Sequence, residues 1–130
     1  MVALREGLQK AGLPADFWHE QLAANGVRFV RDAQLCHGAA GVGHVFHELF
    51  RATGDAVFRD RARTWFAHAL TLRGEDGAFL SWRTQPPPDR WEFDAGYLEG
   101  NAGIGLALAD ALGLARLPWD RPLALSLRLP

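Results

Sequence analysis

The chain has 130 residues, room for one domain. Apolar residues make up 48%, with eight phenylalanines and five tryptophans, so a core can form and a disordered chain is excluded. Fourteen Lys and Arg stand against fifteen Asp and Glu, a net charge of −1 that supplies no field for nucleic acid or a membrane surface.

The start, MVALREGLQK, lacks a basic stretch followed by an apolar run, so no signal peptide is expected. No later run is long enough for a membrane span. The single cysteine, Cys36, rules out an internal disulfide and fits a reducing compartment. The expectation is a cytoplasmic protein without membrane insertion.

Ala3 to Ala24 has a helical pattern, interrupted at Gly12 and Pro14 and ended by Asn25-Gly26. GVRFVRDAQL is short and partly alternating, a loop or weak strand. Residues 38–53 read as a helix, with Val42, Val45, Phe46, Leu49 and Phe50 at three- and four-residue steps. Gly54 suits its C-terminal cap and Asp55 the N-cap of the next helix. That helix, 56–72, shows Phe58, Ala62, Trp65, Phe66, Ala69 and Leu70 on one face. EDGAFLSW suggests a turn and a short extended piece. RTQPPPDR is a loop, since its three prolines remove three donors. A further helix is expected over 101–112, and the apolar tail after Pro118 should dock on the core.

Two glycine stretches repeat. HGAAGVG at 37–43 matches EGNAGIG at 99–105, so Gly38, Ala40, Gly41 and Gly43 correspond to Gly100, Ala102, Gly103 and Gly105. Each copy opens a helix. Glycine inside a helix costs about 1 kcal/mol against alanine, and close approach of neighbouring backbone, at Gly41 and Gly103 above all, is the compensation expected. The pattern describes helix hairpins side by side, each with a small-residue face inward. Both copies read G-x-x-G-x-G, the reverse of the dinucleotide fingerprint, and no Lys-Ser/Thr follows, so a nucleotide site is not indicated.

Cys36 and His37 adjoin the first glycine stretch. A buried hydrophobe beside a hydrogen-bonded histidine is one reading. The other is a metal site: the position just before a helix favours thiolate through the dipole and free amides, the glycines leave space, and thiolate with imidazole suits zinc.

LCHGAAGVG, FRATGD, DAGYLEGNAGIGLAL and LPWDRPLALS occur in an order that resembles the C-terminal part of the lanthionine synthetase C-like (LanC) cyclases, over most of residues 35 to 127. The resemblance implies an all-α fold, with residues 1–130 forming the C-terminal portion of an α/α toroid whose inner helices start at glycine-rich turns. It implies a zinc ion held by two cysteines and one histidine, of which this chain has Cys36 and His37. The second cysteine, in a Trp-Cys-x-Gly stretch of the family, has no counterpart here, nor has the histidine proposed as acid or base. It also implies the reaction, in which a peptide cysteine adds to dehydroalanine or dehydrobutyrine to give a thioether ring. The partners implied are a dehydrated precursor peptide and the dehydratase and transporter of the same pathway. As it stands the chain carries half a site and is expected to be inactive alone.

Two other functions compete. One is a non-catalytic remnant or peptide-binding module on the same scaffold. The other is a carbohydrate-active α/α toroid, for which Asp94 and Glu99 are the carboxylates available. Glu99, in the place of His37, suits a helix N-terminus or a cationic peptide. His44 and His47 lie further along the first helix. His44 occupies an otherwise apolar position and is expected to be packed or hydrogen-bonded, although it is also a candidate substitute ligand. Asp94 is expected as a cap or loop anchor, Trp82 and Trp91 as loop anchors, and His19 and His68 on surface faces.

Overall fold

The computed structural model describes residues 30–83, 87, 90–114 and 119–120. All of these except Val30 lie in one compact unit. The helix expected over Ala3–Ala24, with His19, and the tail beyond Asp120 lie outside the described residues. Three helices and one small sheet make up the described architecture: α1 (Ala39–Thr53), α2 (Ala56–Thr71), β1 (Leu80–Arg83), β2 (Arg90–Phe93) and α3 (Asn101–Ala111). The dominance of helix agrees with an arc of an all-α toroid, and the three expected helices fall within one residue of their expected bounds.

Helix α1 begins at Gly38, whose backbone is extended and which has no side chain to cap with. The loop before it does the capping. Ala39, Ala40 and Gly41 donate their N–H groups to the carbonyls of Asp32, Ala33 and Gln34 at 2.9, 3.2 and 3.4 Å. These are three of the four amides that a helix start leaves without partners. The loop runs so close that a Cβ on Gly41 would collide with the Leu35 carbonyl, only 2.8 Å from its carbon. Helix α3 repeats the device. Asn101 N–H donates to the Asp94 carbonyl at 2.8 Å, and a Cβ on Gly103 would collide with the Tyr97 carbonyl, 2.9 Å from its carbon.

Gly41 and Gly103 thus face neighbouring backbone as expected, and in each case that backbone is the loop preceding the glycine's own helix. Gly43 does meet another helix, since a Cβ there would press on the Phe66 ring of α2 at 3.1 Å. Its counterpart Gly105 has nothing within 4 Å.

Helix α1 ends at Gly54 in the left-handed region (φ 69°), and the Asp55 carboxylate accepts from Val57 N–H at 2.9 Å to start α2. Both features follow the expected caps. Helix α1 packs on α2 and on α3. Ala62, Trp65, Phe66 and Ala69 of α2 are buried as expected, whereas Leu70 is exposed. The buried face of α1 is Ala39, Ala40, Gly41, Gly43, His44 and Glu48. The apolar series Val42 to Phe50 is half-buried or exposed, and Phe46 stacks on Phe58 of α2 at 6.4 Å.

After α2 the chain turns at Gly77 (φ 85°) and forms an antiparallel hairpin around the proline loop, with Leu80 opposite Phe93 and Trp82 opposite Trp91. The extended piece expected at the end of EDGAFLSW is thus one strand. Its partner strand, Arg90–Phe93, follows the last proline and has only four residues of pattern.

Gly41→Leu and Gly103→Ala should each destabilise the fold by about 1–3 kcal/mol through overpacking against backbone. Gly105→Ala, with open space around it, should instead stabilise by up to about 1 kcal/mol from helix propensity. Urea unfolding of the three variants checks both signs.

Candidate functional site

Cys36 and His37 occupy the turn between the capping loop and α1, and both are exposed. The backbone of Cys36 is nonetheless fixed, because its N–H donates to the Leu98 carbonyl at 3.0 Å. Leu98 is the residue corresponding to Cys36 in the second copy, so the two repeats touch at equivalent points. Glu99 follows it, as His37 follows Cys36. The amides expected to favour a thiolate are not free, because α1 gives them to the carbonyls of residues 32–34.

The hairpin is tied to both copies. Asp32 is 2% exposed, and its carboxylate accepts from Trp82 N–H at 2.8 Å and from the Gln34 side-chain amide. Buried Ser81 donates its hydroxyl to the Glu99 carbonyl. Asn101 clamps the base of the hairpin, donating to the Phe79 carbonyl and accepting from its N–H, each at 2.9 Å. Arg83 pairs with Glu99, Asp94 and Glu92. Asp94 also accepts from Gly96 N–H at 2.5 Å, and this bond, with the Arg83 guanidinium, holds its carboxyl below the usual range. Asp94 is the loop anchor expected. Asp94 and Glu99, the carboxylates available for carbohydrate chemistry, share one guanidinium.

The face of the hairpin opposite Ser81, Arg83 and Glu92 carries Leu80, Trp82, Trp91 and Phe93. The two tryptophans meet edge to face at 5.1 Å, with Arg31 over Trp82 at 4.9 Å. Trp91 and Phe93 are exposed.

A second cluster lies between α1, α3 and the segment after α3. His44 is fully buried. Its Nε2 lies 2.9 Å from Asp120 Oδ2, its Nδ1 lies 3.7 Å from Asp110 Oδ2, and its ring packs against Trp119 at 4.6 Å. Tyr97 donates its hydroxyl to the Trp119 carbonyl at 2.5 Å, and burial pushes that phenol upward. The expectation that His44 is packed and hydrogen-bonded holds, and the start of the apolar tail docks here. Glu48, 5% exposed, accepts from Arg51 at 2.8 Å, and Arg51 reaches Asp110 at 3.3 Å. His47 is half-buried. Desolvation lowers its pKa, with Asp110 opposing the shift.

His37 and His44 do not share a site, since one is exposed on the turn and the other is buried in the helix interface. His68 is half-buried beside Trp65 and takes part in neither cluster. Among the described residues, no third His, Cys, Asp or Glu forms a three-ligand group with Cys36 and His37. Sequence reasoning missed Asp32, although Asp32-Ala33 and Asp94-Ala95 extend the repeat six residues upstream of Gly38 and Gly100. It also missed the pairing of His44 with Asp120, which no local spacing reveals.

Cys36 should react with iodoacetamide in the native chain at a rate close to that of the unfolded one, as followed by mass spectrometry. His44→Ala should cost about 1–3 kcal/mol, because it removes a fully buried ring and its hydrogen bond to Asp120. The Asp94 carboxyl should titrate below its usual 3.8 by NMR. A depressed folded pKa means that its support of the hairpin is complete above about pH 4 and is lost only as the pH falls through the folded value.

A search of curated proteins finds no match to the chain. The family model described as lanthionine synthetase C-like protein matches residues 17–123, which include Cys36-His37, both glycine copies, the hairpin and Asp120. The chain therefore belongs to the lanthionine synthetase C-like family.

Proposed function

We propose that this chain is the C-terminal portion of a zinc-dependent thioether-forming cyclase, with Cys36 and His37 as two of its three protein zinc ligands. The observation that carries the proposal is the exposed Cys36-His37 turn on a backbone fixed by the bond from Cys36 N–H to the Leu98 carbonyl. Its donors, one thiolate and one imidazole, are of the kind zinc prefers, and a catalytic site takes three protein ligands and one open position. The third ligand, a second cysteine, is supplied from outside these residues. Cys36 and His37 would hold the zinc, and the chemistry it would supply there is Lewis acidity toward a substrate cysteine thiol. That thiol would lose its proton to solvent. Its sulfur would bond to the β-carbon of dehydroalanine or dehydrobutyrine at the expense of the C=C π bond, and the α-carbon would take up a proton.

The chain's own contribution is placement. The loop of residues 32–35 holds the ligand turn against α1, and Asp32 joins that loop to the hairpin. Arg83 with Glu99 and Asp94 forms a charged rim beside the second copy. The substrate is a dehydrated precursor peptide, in the cytoplasm, met together with the dehydratase and transporter of the same pathway.

The exposed hairpin face of Leu80, Trp91 and Phe93 favours a second reading, a peptide-binding module without chemistry.

Zinc titration against a chromophoric competitor separates the two. The isolated chain should bind at Cys36-His37 much more weakly than a three-ligand site. Adding a Trp-Cys-x-Gly segment, in cis or as a separate chain, should restore tight binding and cyclisation of a dehydrated peptide. Cys36→Ala or His37→Ala should abolish both. Peptide binding that persists with no zinc dependence and no loss of free thiol would favour the binding module.

A further inference from the structure

The two edges of the hairpin differ. Trp82 N–H donates to the Asp32 carboxylate, so the outer edge of β1 is taken by the capping loop. Among the described residues the sheet has two strands, and no backbone group pairs with the outer edge of β2. The Asp32 bond also fixes which way the β2 backbone points. Trp82 N–H is turned away from β2, so Trp82 and its partner Trp91 form a non-hydrogen-bonded pair. In such a pair each residue directs its N–H and C=O away from the other. The N–H and C=O of Trp91 therefore point out of the open edge, and those of Phe93, two residues on, do the same.

The side chains of this edge suit one further strand, a second copy of itself. Trp91 and Phe93 are 46% and 64% exposed on the apolar face, while Arg90 and Glu92 alternate with them on the other. An antiparallel copy with Trp91 opposite Trp91 places Arg90 opposite Glu92 twice. A slip of one residue would set the apolar face of one copy against the charged face of the other. A slip of two would set Glu92 opposite Glu92, and like charges directly opposite are unfavourable. Charge and facing thus select the arrangement centred on Trp91. It is also the one in which Trp91 forms a hydrogen-bonded pair, as its outward N–H and C=O require.

We propose that β2 pairs with β2 of a second copy of this chain, antiparallel and centred on Trp91, to make a four-stranded sheet. Trp91 N–H of each copy donates to the Trp91 carbonyl of the other. On the charged face, Arg90 and Arg83 already hold Glu92 within one copy, and pairing extends that alternating row across the two-fold axis. On the apolar face, the edge-to-face contact of Trp82 with Trp91 at 5.1 Å becomes a row of four tryptophans. Each Phe93 lies diagonal to the opposite Trp91, within aromatic reach. Four-residue strands make a small interface, so the dimer is weak and reversible.

The test uses the full chain carrying Cys36→Ser, which removes its one thiol and makes the outcome independent of the cyclase reading. Sedimentation velocity from about 5 to 500 μM should show a reversible monomer–dimer equilibrium. Arg90→Glu should weaken the dimer about tenfold, since it sets like charges opposite each other at two places. Trp91→Pro should abolish it by removing the outward N–H without removing a bond to β1, and circular dichroism checks that its helices remain. Cross-linking reads the arrangement without relying on that variant. Trp91→Cys should form an interchain disulfide on mild oxidation, because a hydrogen-bonded pair has its Cα atoms about 5.5 Å apart. Phe93→Cys, at the more exposed position, should not, because it lies far from its counterpart. A monomer at every concentration would overturn the proposal and leave the edge to another occupant, such as a peptide. So would a dimer that Arg90→Glu and folded Trp91→Pro leave intact, or a disulfide that forms at position 93 as fast as at 91.

Discussion

The described structure depends on one contact made twice, a loop folded back so that its carbonyls cap the helix it leads into. Asp32, Ala33 and Gln34 serve the first amides of α1, and Asp94 serves α3. The contact admits no Cβ at Gly41 or Gly103, where the loop carbonyl lies against the helix. At α1 it also removes the helix N-terminus as an anion site, since the amides that would bind an anion are already used. What remains is the tip of the turn, with exposed Cys36-His37 in one copy and exposed Leu98 beside half-buried Glu99 in the other.

The same backbone therefore presents different chemistry at two equivalent places. Copy one offers a thiol and an imidazole. Copy two offers an apolar residue and a carboxylate paired with Arg83. The copies also differ on the side away from the loop. Gly43 lies against the Phe66 ring, while Gly105 has no described neighbour. The hairpin connects the copies through Asp32 to one and through Ser81, Arg83 and Asn101 to the other.

Much of this was legible in the sequence because it rests on local signals. Gly54 and Asp55 mark a helix end and a helix start by backbone freedom and side-chain capping. The matched glycines mark two close approaches. What they approach was not legible, because a steric constraint on a Cβ does not name the atom that imposes it. The hairpin escaped because each strand has four residues and the intervening prolines read only as loop. Helix α1 was placed correctly, yet its buried face is small and polar. His44 and Glu48 are interior because Asp110, Arg51 and Asp120 meet them there, and Asp120 lies 76 residues from His44 while Asp110 lies 59 from Arg51. The exposure of Cys36 and His37 follows from their place on a turn, whereas the hydrogen bond to Leu98 depends on the two copies meeting in space.

That hydrogen bond gives the thiol a particular standing. Cys36 has an open side chain on a closed backbone. A ligand or reactant arriving at its sulfur finds the main-chain dihedrals already set and has a single side-chain torsion left to select. The entropy of ordering that residue, about 1–2 kcal/mol for a free backbone, has been met in folding rather than at binding. A turn of equal exposure without the tie to Leu98 would have to meet it each time.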